Sequence, residues 1–282
     1  MIRTTFTLAA ALLAALSPNT AAKTPPPKKE SSVSSATSAE QPTAATTGRI
    51  RFSRSNVEGP YIAMTFDDGP HGSQTPRLLK MLKERNLHAT FFVCGKNVAE
   101  YPEIAKSIVA DGHEIANHSW DHPQLNVMAE GGVREQLQKT HDVVKQTTGV
   151  TISLMRPPYG AFTKNQDAWS HATWGYKCIM WDVDSSDWQH RNPAKTESII
   201  MSNTRSGSIV LCHDIHKTTI DAMASTLDGL IKKGFKFVTV SELIAMHKEV
   251  AVKAKPAKTL TPAEAAGAAT SIEDLAKPAA AK

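Results

Sequence analysis

The sequence predicts an α/β fold whose parallel strands form a (β/α)7 barrel. Three observations lead to this prediction. Short apolar runs recur roughly every 20 to 30 residues from Tyr61 onward. Segments with helical spacing of apolar residues lie between these runs, and polar residues capable of chemistry follow the carboxyl ends of the runs.

The predicted strands and helices alternate along the chain. Runs in which nearly every residue is apolar are typical of strands that are covered on both faces, as in parallel sheets. In chain order the runs are YIAMTFD, ATFFVCG, HEIANHS, TISLMRPPYG, YKCIMWDVD, GSIVLCHD and FKFVTVSEL. The predicted helical segments include TPRLLKMLKERN, VAEYPEIAKSIVADG, GGVREQLQKTHDVVKQTTG and TIDAMASTLDGLIKKG. Seven units favour a barrel one unit short of eight, and a doubly wound open sheet is the alternative.

The two ends of the chain differ in composition from the middle. Residues 1–22 carry a basic residue, Arg3, near their start and continue through a short apolar stretch, which predicts a cleaved secretory signal, with a retained anchor as the alternative. Residues 23–55 and 249–282 are rich in Ala, Pro and Lys and predict a disordered linker and tail. The predicted catalytic domain therefore covers residues 56–248.

The charge distribution argues against nucleic-acid binding. The formal charge of the chain is +5, yet residues 51–247 contain 21 Lys and Arg and 21 Asp and Glu. The excess of positive charge lies in the ends of the chain, and the central region has no basic surplus to attract a polyanion.

The three cysteines lie inside apolar runs. Cys94, Cys178 and Cys212 have no metal-binding or redox spacing, so they are interpreted as small core residues. An oxidising compartment would permit one disulfide and leave at least one thiol free.

Chemically capable side chains stand at the carboxyl ends of five predicted strands. They are Asp67 and Asp68, His118, Arg156 and Tyr159, Asp184 and Asp187, and His213 and Asp214. In parallel barrels this is the face where active sites are built. One such residue alone is commonly a turn former or a core hydrogen-bonding group, but agreement at five strand ends predicts an active site.

Two motifs together predict a metal site. Side chains of consecutive residues in an extended chain point to opposite sides, so Asp67 and Asp68 are expected to have different tasks. One can hold a metal while the other faces the reacting water. His118 and His122 are four residues apart, and one turn of chain would direct both imidazoles to a common point. Two histidines and one carboxylate are a catalytic metal set that leaves positions open for water and substrate.

Five motifs carry a resemblance to a known family. TFDDGP, HSWDH, RPPYG, DSSDW and LCHD occur in the order, and with roughly the spacing, of the motifs of the NodB-like polysaccharide deacetylases, carbohydrate esterase family 4. The resemblance covers about residues 57–247 and implies the NodB homology fold, a distorted (β/α)7 barrel. It also implies hydrolysis of N-acetyl groups on a polysaccharide.

The resemblance assigns the metal and the base. Asp67 resembles the general base, and Arg156 resembles the residue that pairs with it and positions it. Asp68, His118 and His122 resemble the metal ligands. The family's divalent ion is usually Zn²⁺, with Co²⁺ or Ni²⁺ as alternatives, and it lowers the pKa of the attacking water.

The resemblance also assigns the acid side of the reaction and the substrate contacts. His213 resembles the general acid, and Asp187 resembles the partner that orients it and keeps it protonated; Asp184 is the weaker candidate for that partner. The backbone N–H of Tyr159 is expected to stabilise the oxyanion. Trp188 is expected to form a wall of the sugar groove, with ordinary core packing as the alternative.

The remaining polar residues near the motifs are expected to have supporting roles. Gly69 and Pro70 turn the chain sharply after the aspartate doublet and so expose it at the mouth of the barrel. Asp214 is interpreted as a structural hydrogen-bonding residue. His71 and His216 are expected to rim the cleft.

The predicted partner is a polysaccharide. The export signal and the tails favour peptidoglycan N-acetylglucosamine as the substrate of an exported, monomeric enzyme of the periplasm or cell envelope, without a stable membrane anchor after signal cleavage. Alternatives are chitooligosaccharides, poly-N-acetylglucosamine and O-acetylated xylan. Two alternatives of another class are a catalytically silent glycan-binding domain and a metal-independent hydrolase of cyclic amides.

Overall fold

A computed structural model of the chain describes residues 48–248. The predicted signal, most of the predicted linker and the predicted tail lie outside the described residues. The strands are β1 (Arg51–Phe52), β2 (Tyr61–Asp67), β3 (Thr90–Val93), β4 (Glu114–Asn117), β5 (Leu154–Met155), β6 (Lys177–Ile179), β7 (Val183–Asp184), β8 (Ile209–His213) and β9 (Lys236–Phe237). The helices are α1 (Gln74–Glu84), α2 (Gly95–Glu100), α3 (Pro102–Ala110), α4 (Glu130–Thr148), α5 (Lys164–Trp174), α6 (Asp187–His190), α7 (Pro193–Asn203), α8 (Lys217–Lys232) and α9 (Val240–Ala245). None of the helices within 48–248 is long and apolar enough to cross a bilayer.

The strands pair in parallel in the order β1-β6-β5-β4-β3-β2-β8-β7, and β9 pairs with the start of β2. Each of the seven predicted runs contains at least one strand. Strand β2 pairs with three other strands, and its last residue, Asp67, stands opposite His213 of β8 on one side and Phe92 of β3 on the other. The register of the sheet therefore brings the first and last predicted motifs side by side.

A bend in the chain closes the barrel. The predicted run YKCIMWDVD forms two strands, β6 and β7, which lie toward opposite ends of the strand order. The connecting residues run from Met180 to Asp182: Met180 donates its N–H to Phe52 of β1, and Asp182 donates its N–H to Ile209 of β8. The chain thus crosses from one side of the sheet to the other within this bend, and the predicted distorted barrel is confirmed over the open-sheet alternative.

The two faces of the sheet bury different side chains. Ala63 of β2 packs with Phe92 and Ile209 in a small cluster inside the barrel, to which α9 also contributes. Met64 and Phe66 belong to the larger cluster between the strands and the surrounding helices. Side chains alternate along a strand, so Asp67 faces the interior of the barrel as Ala63 does.

Two details differ from the sequence-based expectation. The domain boundary predicted at residue 56 is too late, because Phe52 is buried and Arg51 forms an ion pair with Asp167 at 2.7 Å. The segment VAEYPEIAKSIVADG is broken into α2 and α3 at Tyr101, whose backbone leaves the helical region before Pro102.

The three cysteines are buried, unpaired thiols. This agrees with their interpretation as core residues, and the disulfide that the sequence left open is absent. Burial raises the pKa of the Cys178 thiol well above its ordinary value, so this thiol stays protonated and unreactive at neutral pH.

Candidate active site

A cavity of about 560 Å³ opens at the carboxyl edge of the barrel strands. Its lining includes seven of the nine predicted site residues, namely Asp67, Asp68, His118, His122, Tyr159, Trp188 and His213. The other lining residues are Pro157, Trp181, Asp184, Arg191, Leu211 and His216. The two predicted residues that do not line it, Arg156 and Asp187, are buried and contact residues that do. The distant motifs therefore converge on one site.

Asp67 and Arg156 form a buried ion pair at the inner end of this cavity. Arg156 is fully buried, and its Nη1 lies 2.7 Å from Asp67 Oδ1 and 2.8 Å from Thr65 Oγ1. The same guanidinium donates to the carbonyl oxygens of Ile179 and Met180, each at 3.1 Å. Arg156 thus fixes one oxygen of Asp67 and also holds the start of the bend that closes the barrel.

Asp68, His118 and His122 offer one ligand atom each within 4.8 Å of one another. His118 is buried, and its Nδ1 lies 2.7 Å from the Arg156 carbonyl oxygen, so this nitrogen carries the proton. Nε2 is then the nitrogen left to bind a metal, and it lies 3.4 Å from Asp68 Oδ1, as does Nε2 of His122. Asp68 Oδ1 is buried without a hydrogen-bond partner among the described residues. A buried carboxylate oxygen facing imidazole lone pairs fits a divalent cation bound between them.

The two histidines converge through a loop and not through the helical turn that their spacing suggested. Ser119 and His122 have φ values of 68° and 65°, in the left-handed region. The Ser119 N–H donates to Asn117 Oδ1 at 2.8 Å, and the His122 N–H donates to Ser119 Oγ at 3.1 Å. The His122 ring packs edge-on against Tyr159, with ring centroids 4.6 Å apart. A compact loop, which contains the hydrogen bond between His122 and Ser119, therefore directs both imidazoles to Asp68.

His213 and Asp187 form the second buried pair of the site. His213 Nδ1 lies 2.7 Å from Asp187 Oδ1, and Asp187 Oδ2 accepts from the His213 N–H at 2.9 Å and from Thr219 Oγ1 at 2.6 Å. Burial by itself would lower the pKa of His213, but the Asp187 carboxylate outweighs it and raises this pKa to about 9. Burial opposes ionisation of Asp187 as well, yet its bond to His213 lowers its pKa below the ordinary value. The imidazole is therefore a proton donor at neutral pH.

Tyr159 and Trp188 are aromatic residues on the open side of the cavity. Their exposed fractions are 68% and 52%, which is unusual for side chains of this size. Tyr159 lies in the short turn Pro158–Gly160 with a φ of 58°. Trp188 follows Asp187 at the start of α6 and is not the core residue that was the alternative. Both rings are available to a ligand, and the role of the Tyr159 N–H in oxyanion stabilisation stays a prediction.

Asp214 explains why a glycine follows the aspartate doublet. The Asp214 carboxylate is fully buried, accepts a hydrogen bond from Thr75 Oγ1 and lies against Gly69, where any Cβ atom would overlap it. Burial raises the pKa of Asp214 to about 7. This residue therefore has the structural role expected of it, since it packs beneath the turn that follows Asp68.

The accessory residues of the motifs divide between the cavity and the helix ends. His216 lines the cavity, as expected. The expectation that His71 rims the cleft is wrong: His71 does not line the cavity, and its Nδ1 accepts the N–H groups of Ser73 and Gln74 at the start of α1. Asp184 lines the cavity and accepts the Ser186 N–H at 2.7 Å, whereas His213 bonds to Asp187.

Several residues of the site were not identified from the sequence. Thr65 could have been found from its position, because it faces the same side of β2 as Asp67. Trp181 lies in the bend and Arg191 follows α6, and both line the cavity. Nothing in the spacing of Trp181 or Arg191 relative to the motifs predicts this.

Comparison with known proteins identifies the family. The polysaccharide deacetylase family matches residues 54–179. The chain is 43% identical over 182 residues to peptidoglycan-N-acetylglucosamine deacetylase PgdA of Listeria monocytogenes, covering 64% of this chain and 38% of that protein. It is 37% identical over 188 residues to peptidoglycan-N-acetylmuramic acid deacetylase PdaC of Bacillus subtilis, covering 67% of this chain and 39% of that protein.

A solved structure extends the similarity to the whole fold. The crystal structure of the Bc1960 peptidoglycan N-acetylglucosamine deacetylase aligns with a TM-score of 0.68 at 31% identity, covering 72% of this chain and 96% of that chain. The chain belongs to the NodB-like polysaccharide deacetylases, carbohydrate esterase family 4. It spans less than two fifths of the length of PgdA and about two fifths of the length of PdaC.

Proposed function

We propose that this protein is an exported, metal-dependent deacetylase that hydrolyses N-acetyl groups of peptidoglycan. The observation that carries the proposal is the convergence of two buried pairs on one cavity. Asp67 with Arg156 stands on one side, and His213 with Asp187 stands on the other. The ligand set of Asp68, His118 and His122 lies beside Asp67, whose Oδ2 is 3.7 Å from His118 Nε2.

The base side of the reaction rests on Asp67. Arg156 binds Oδ1, so Oδ2 is the oxygen left to accept the proton of the attacking water. A divalent cation held by Asp68, His118 and His122 would act as a Lewis acid that polarises the acetamide carbonyl and makes water easier to deprotonate. Two imidazoles and one carboxylate suit Zn²⁺, which we propose as the ion, with Co²⁺ or Ni²⁺ as alternatives.

The acid side rests on His213. Hydrolysis adds water across the amide: the C–N bond breaks, the acyl carbon leaves as acetate, and the sugar nitrogen leaves as an amine. The amine is a poor leaving group until it is protonated, and His213 supplies that proton because Asp187 keeps the imidazole charged. The N–H of Tyr159 is the proposed donor to the oxyanion.

The substrate is proposed from the relatives and from the shape of the cavity. The curated relatives act on N-acetylglucosamine or N-acetylmuramic acid of peptidoglycan, as their names state. The exposed rings of Tyr159 and Trp188 can pack against the C–H faces of a sugar. Ligand pockets commonly combine such aromatic side chains with a few polar groups. The predicted export signal supports action in the periplasm or cell envelope. Chitooligosaccharides, poly-N-acetylglucosamine and acetylated xylan are the alternative substrates.

Release of acetate tests the proposal directly. The zinc-loaded protein is incubated with purified peptidoglycan, chitopentaose and acetylated xylan, and we expect the highest rate on peptidoglycan. Zinc bound at one ion per chain without acetate from any glycan would instead support a catalytically silent glycan-binding domain.

Two variants separate the base from the metal ligands. Asp67→Asn is expected to abolish acetate release while zinc stays bound, because its side chain is assigned to the water and not to the metal. His118→Ala is expected to lose both. Loss of zinc from Asp67→Asn would show that the two roles are misassigned.

A further inference from the structure

The loop that joins His118 to His122 has an unfavourable backbone. Ser119 and His122 both have positive φ values, which non-glycine residues adopt at a cost in free energy. Such a conformation persists only when surrounding groups hold it. The proposed metal ligand at its end, His122, is 29% exposed, and its ring packs against His118 and the exposed Tyr159 ring and not in the hydrophobic core. The loop therefore needs an anchor outside itself.

A glutamine on α4 supplies three hydrogen bonds to this loop. Gln136 Oε1 accepts the Trp120 N–H at 2.8 Å and the Asp121 N–H at 3.2 Å. Its Nε2 donates to Asp121 Oδ1 at 2.7 Å. One amide thus uses both its acceptor and its donor on two residues that lie between Ser119 and His122.

Backbone bonds from α2 hold the same stretch from another side. The Gly95 N–H donates to the Ser119 carbonyl at 3.0 Å, and the Lys96 N–H donates to the Trp120 carbonyl at 2.9 Å. These bonds fix the carbonyl groups of the stretch, whereas Gln136 fixes its N–H groups. His118 has a separate anchor, because its Nδ1 bonds to the Arg156 carbonyl. Loss of Gln136 would therefore release His122 more than His118.

We propose that Gln136 is a positioning residue of the metal site. It touches none of the three ligands, and it acts by holding Trp120 and Asp121 so that His122 reaches the ion without rearrangement of the loop. Without Gln136, two backbone N–H groups lose their acceptor and the loop relaxes from its positive φ values. Metal binding must then restore the loop, and this weakens the affinity. The inference rests on the metal site proposed above.

The test is the zinc dissociation constant of the full chain, measured by competition with a chromophoric chelator. Gln136→Leu is expected to weaken zinc binding by about 10- to 100-fold, the range for lost groups that orient metal ligands. The matched control is Gln138→Leu on the same helix. Gln138 also makes two side-chain hydrogen bonds, to Asp142 and Trp174, but none to the loop. Its zinc constant is expected to stay within about twofold of the wild-type value.

The outcomes separate this inference from the metal proposal. A wild-type protein without zinc affinity overturns the proposed metal site, and the role of Gln136 falls with it. A wild-type protein that binds zinc, beside a Gln136→Leu variant of equal affinity, overturns the role of Gln136 alone. An equal loss in both leucine variants would show a general effect on α4 and would also overturn it.

A second test reverses the direction of the hydrogen bond between Gln136 and Asp121 instead of removing this bond. Gln136→Glu keeps an acceptor for the two N–H groups but places a carboxylate against Asp121, so zinc affinity is expected to fall. Adding Asp121→Asn restores a donor and an acceptor with their direction exchanged, and the double variant is expected to return to within about threefold of the wild-type constant. A double variant that binds zinc no better than Gln136→Glu alone contradicts the inference.

Discussion

Replacement of Asp187 by asparagine tests the electrostatic link that keeps His213 charged. The change preserves size but removes the negative charge 2.7 Å from His213 Nδ1. The pKa of His213 is raised from the ordinary 6.5 to about 9, which corresponds to about 3 kcal/mol in favour of the imidazolium. Burial lowers this pKa, and in Asp187→Asn only the weaker attraction of Asp67 and Asp68 still raises it, so it should fall back to about 6.5. At pH 8 the protonated fraction would then drop by about 30-fold.

The assay is the pH profile of acetate release between about pH 5 and 10, together with the NMR titration of the imidazole. The alkaline limit of activity is expected near 9 in the wild-type protein and at least 2 units lower in the variant. Asp184→Asn is the matched control, because that carboxylate bonds to Ser186 and not to His213. An unchanged alkaline limit in Asp187→Asn, or a wild-type imidazole that titrates near 6.5, would refute the reasoning.

The same pair makes the stability of the fold depend on pH. The folded pKa of His213 lies above its ordinary value, so the stabilisation is complete below pH 6.5 and is lost as the pH rises through about 9. In Asp187→Asn the free energy of unfolding should change less over this interval, as measured by urea denaturation at a series of pH values.

Three further substitutions test the supports of the site. Arg156→Lys keeps the charge but loses the planar group that bonds both to Asp67 and to the bend. We therefore expect destabilisation by about 1–3 kcal/mol in urea denaturation, and at least 100-fold slower acetate release. Wild-type stability in this variant would contradict the assignment. Gly69→Ala places a methyl group on the Asp214 carboxylate and should cost about 1–3 kcal/mol, partly recovered by adding Asp214→Ala; no recovery would show that the clash lies elsewhere. Trp188→Ala should raise the KM for chitopentaose about tenfold with zinc affinity unchanged, and an unchanged KM would exclude stacking on this ring.

The larger elements of the fold could be predicted because their signals are local. An apolar run and a helical repeat are each contained within one segment, so all seven runs and the long helices α4 and α8 lie where the pattern placed them. The two-residue strand β1 gives no period to detect. The bend between β6 and β7 was missed because the apolar residues of YKCIMWDVD show no break. Its division into two strands depends on pairing with different strands, since β6 pairs with β1 and β5, and β7 pairs with β8.

The residues of the site could be predicted from the sequence, but the path of the chain that positions them could not. Carboxylates, imidazoles and an arginine at strand ends carry chemistry that is visible in the sequence, and the family motifs fix their order. The path of the chain between His118 and His122 was not predictable, because positive φ values at serine and histidine run against their local preference and depend on tertiary contacts. Gln136 looks like an ordinary polar residue of a helix surface, and only the folded chain shows that its amide faces the loop.

The bend at Met180 bears on how such an enzyme could change its substrate. Arg156 donates hydrogen bonds to the main-chain carbonyl oxygens of Ile179 and Met180 at the start of the bend. Every amino acid provides such an oxygen. Trp181, the next residue, lines the cavity. Exchange of the Trp181 side chain would therefore reshape this wall while the two hydrogen bonds from Arg156 to the main chain stay in place. Selectivity for a new glycan is thus open to gradual change at Trp181, beside a main chain whose bonds to Arg156 do not depend on residue type.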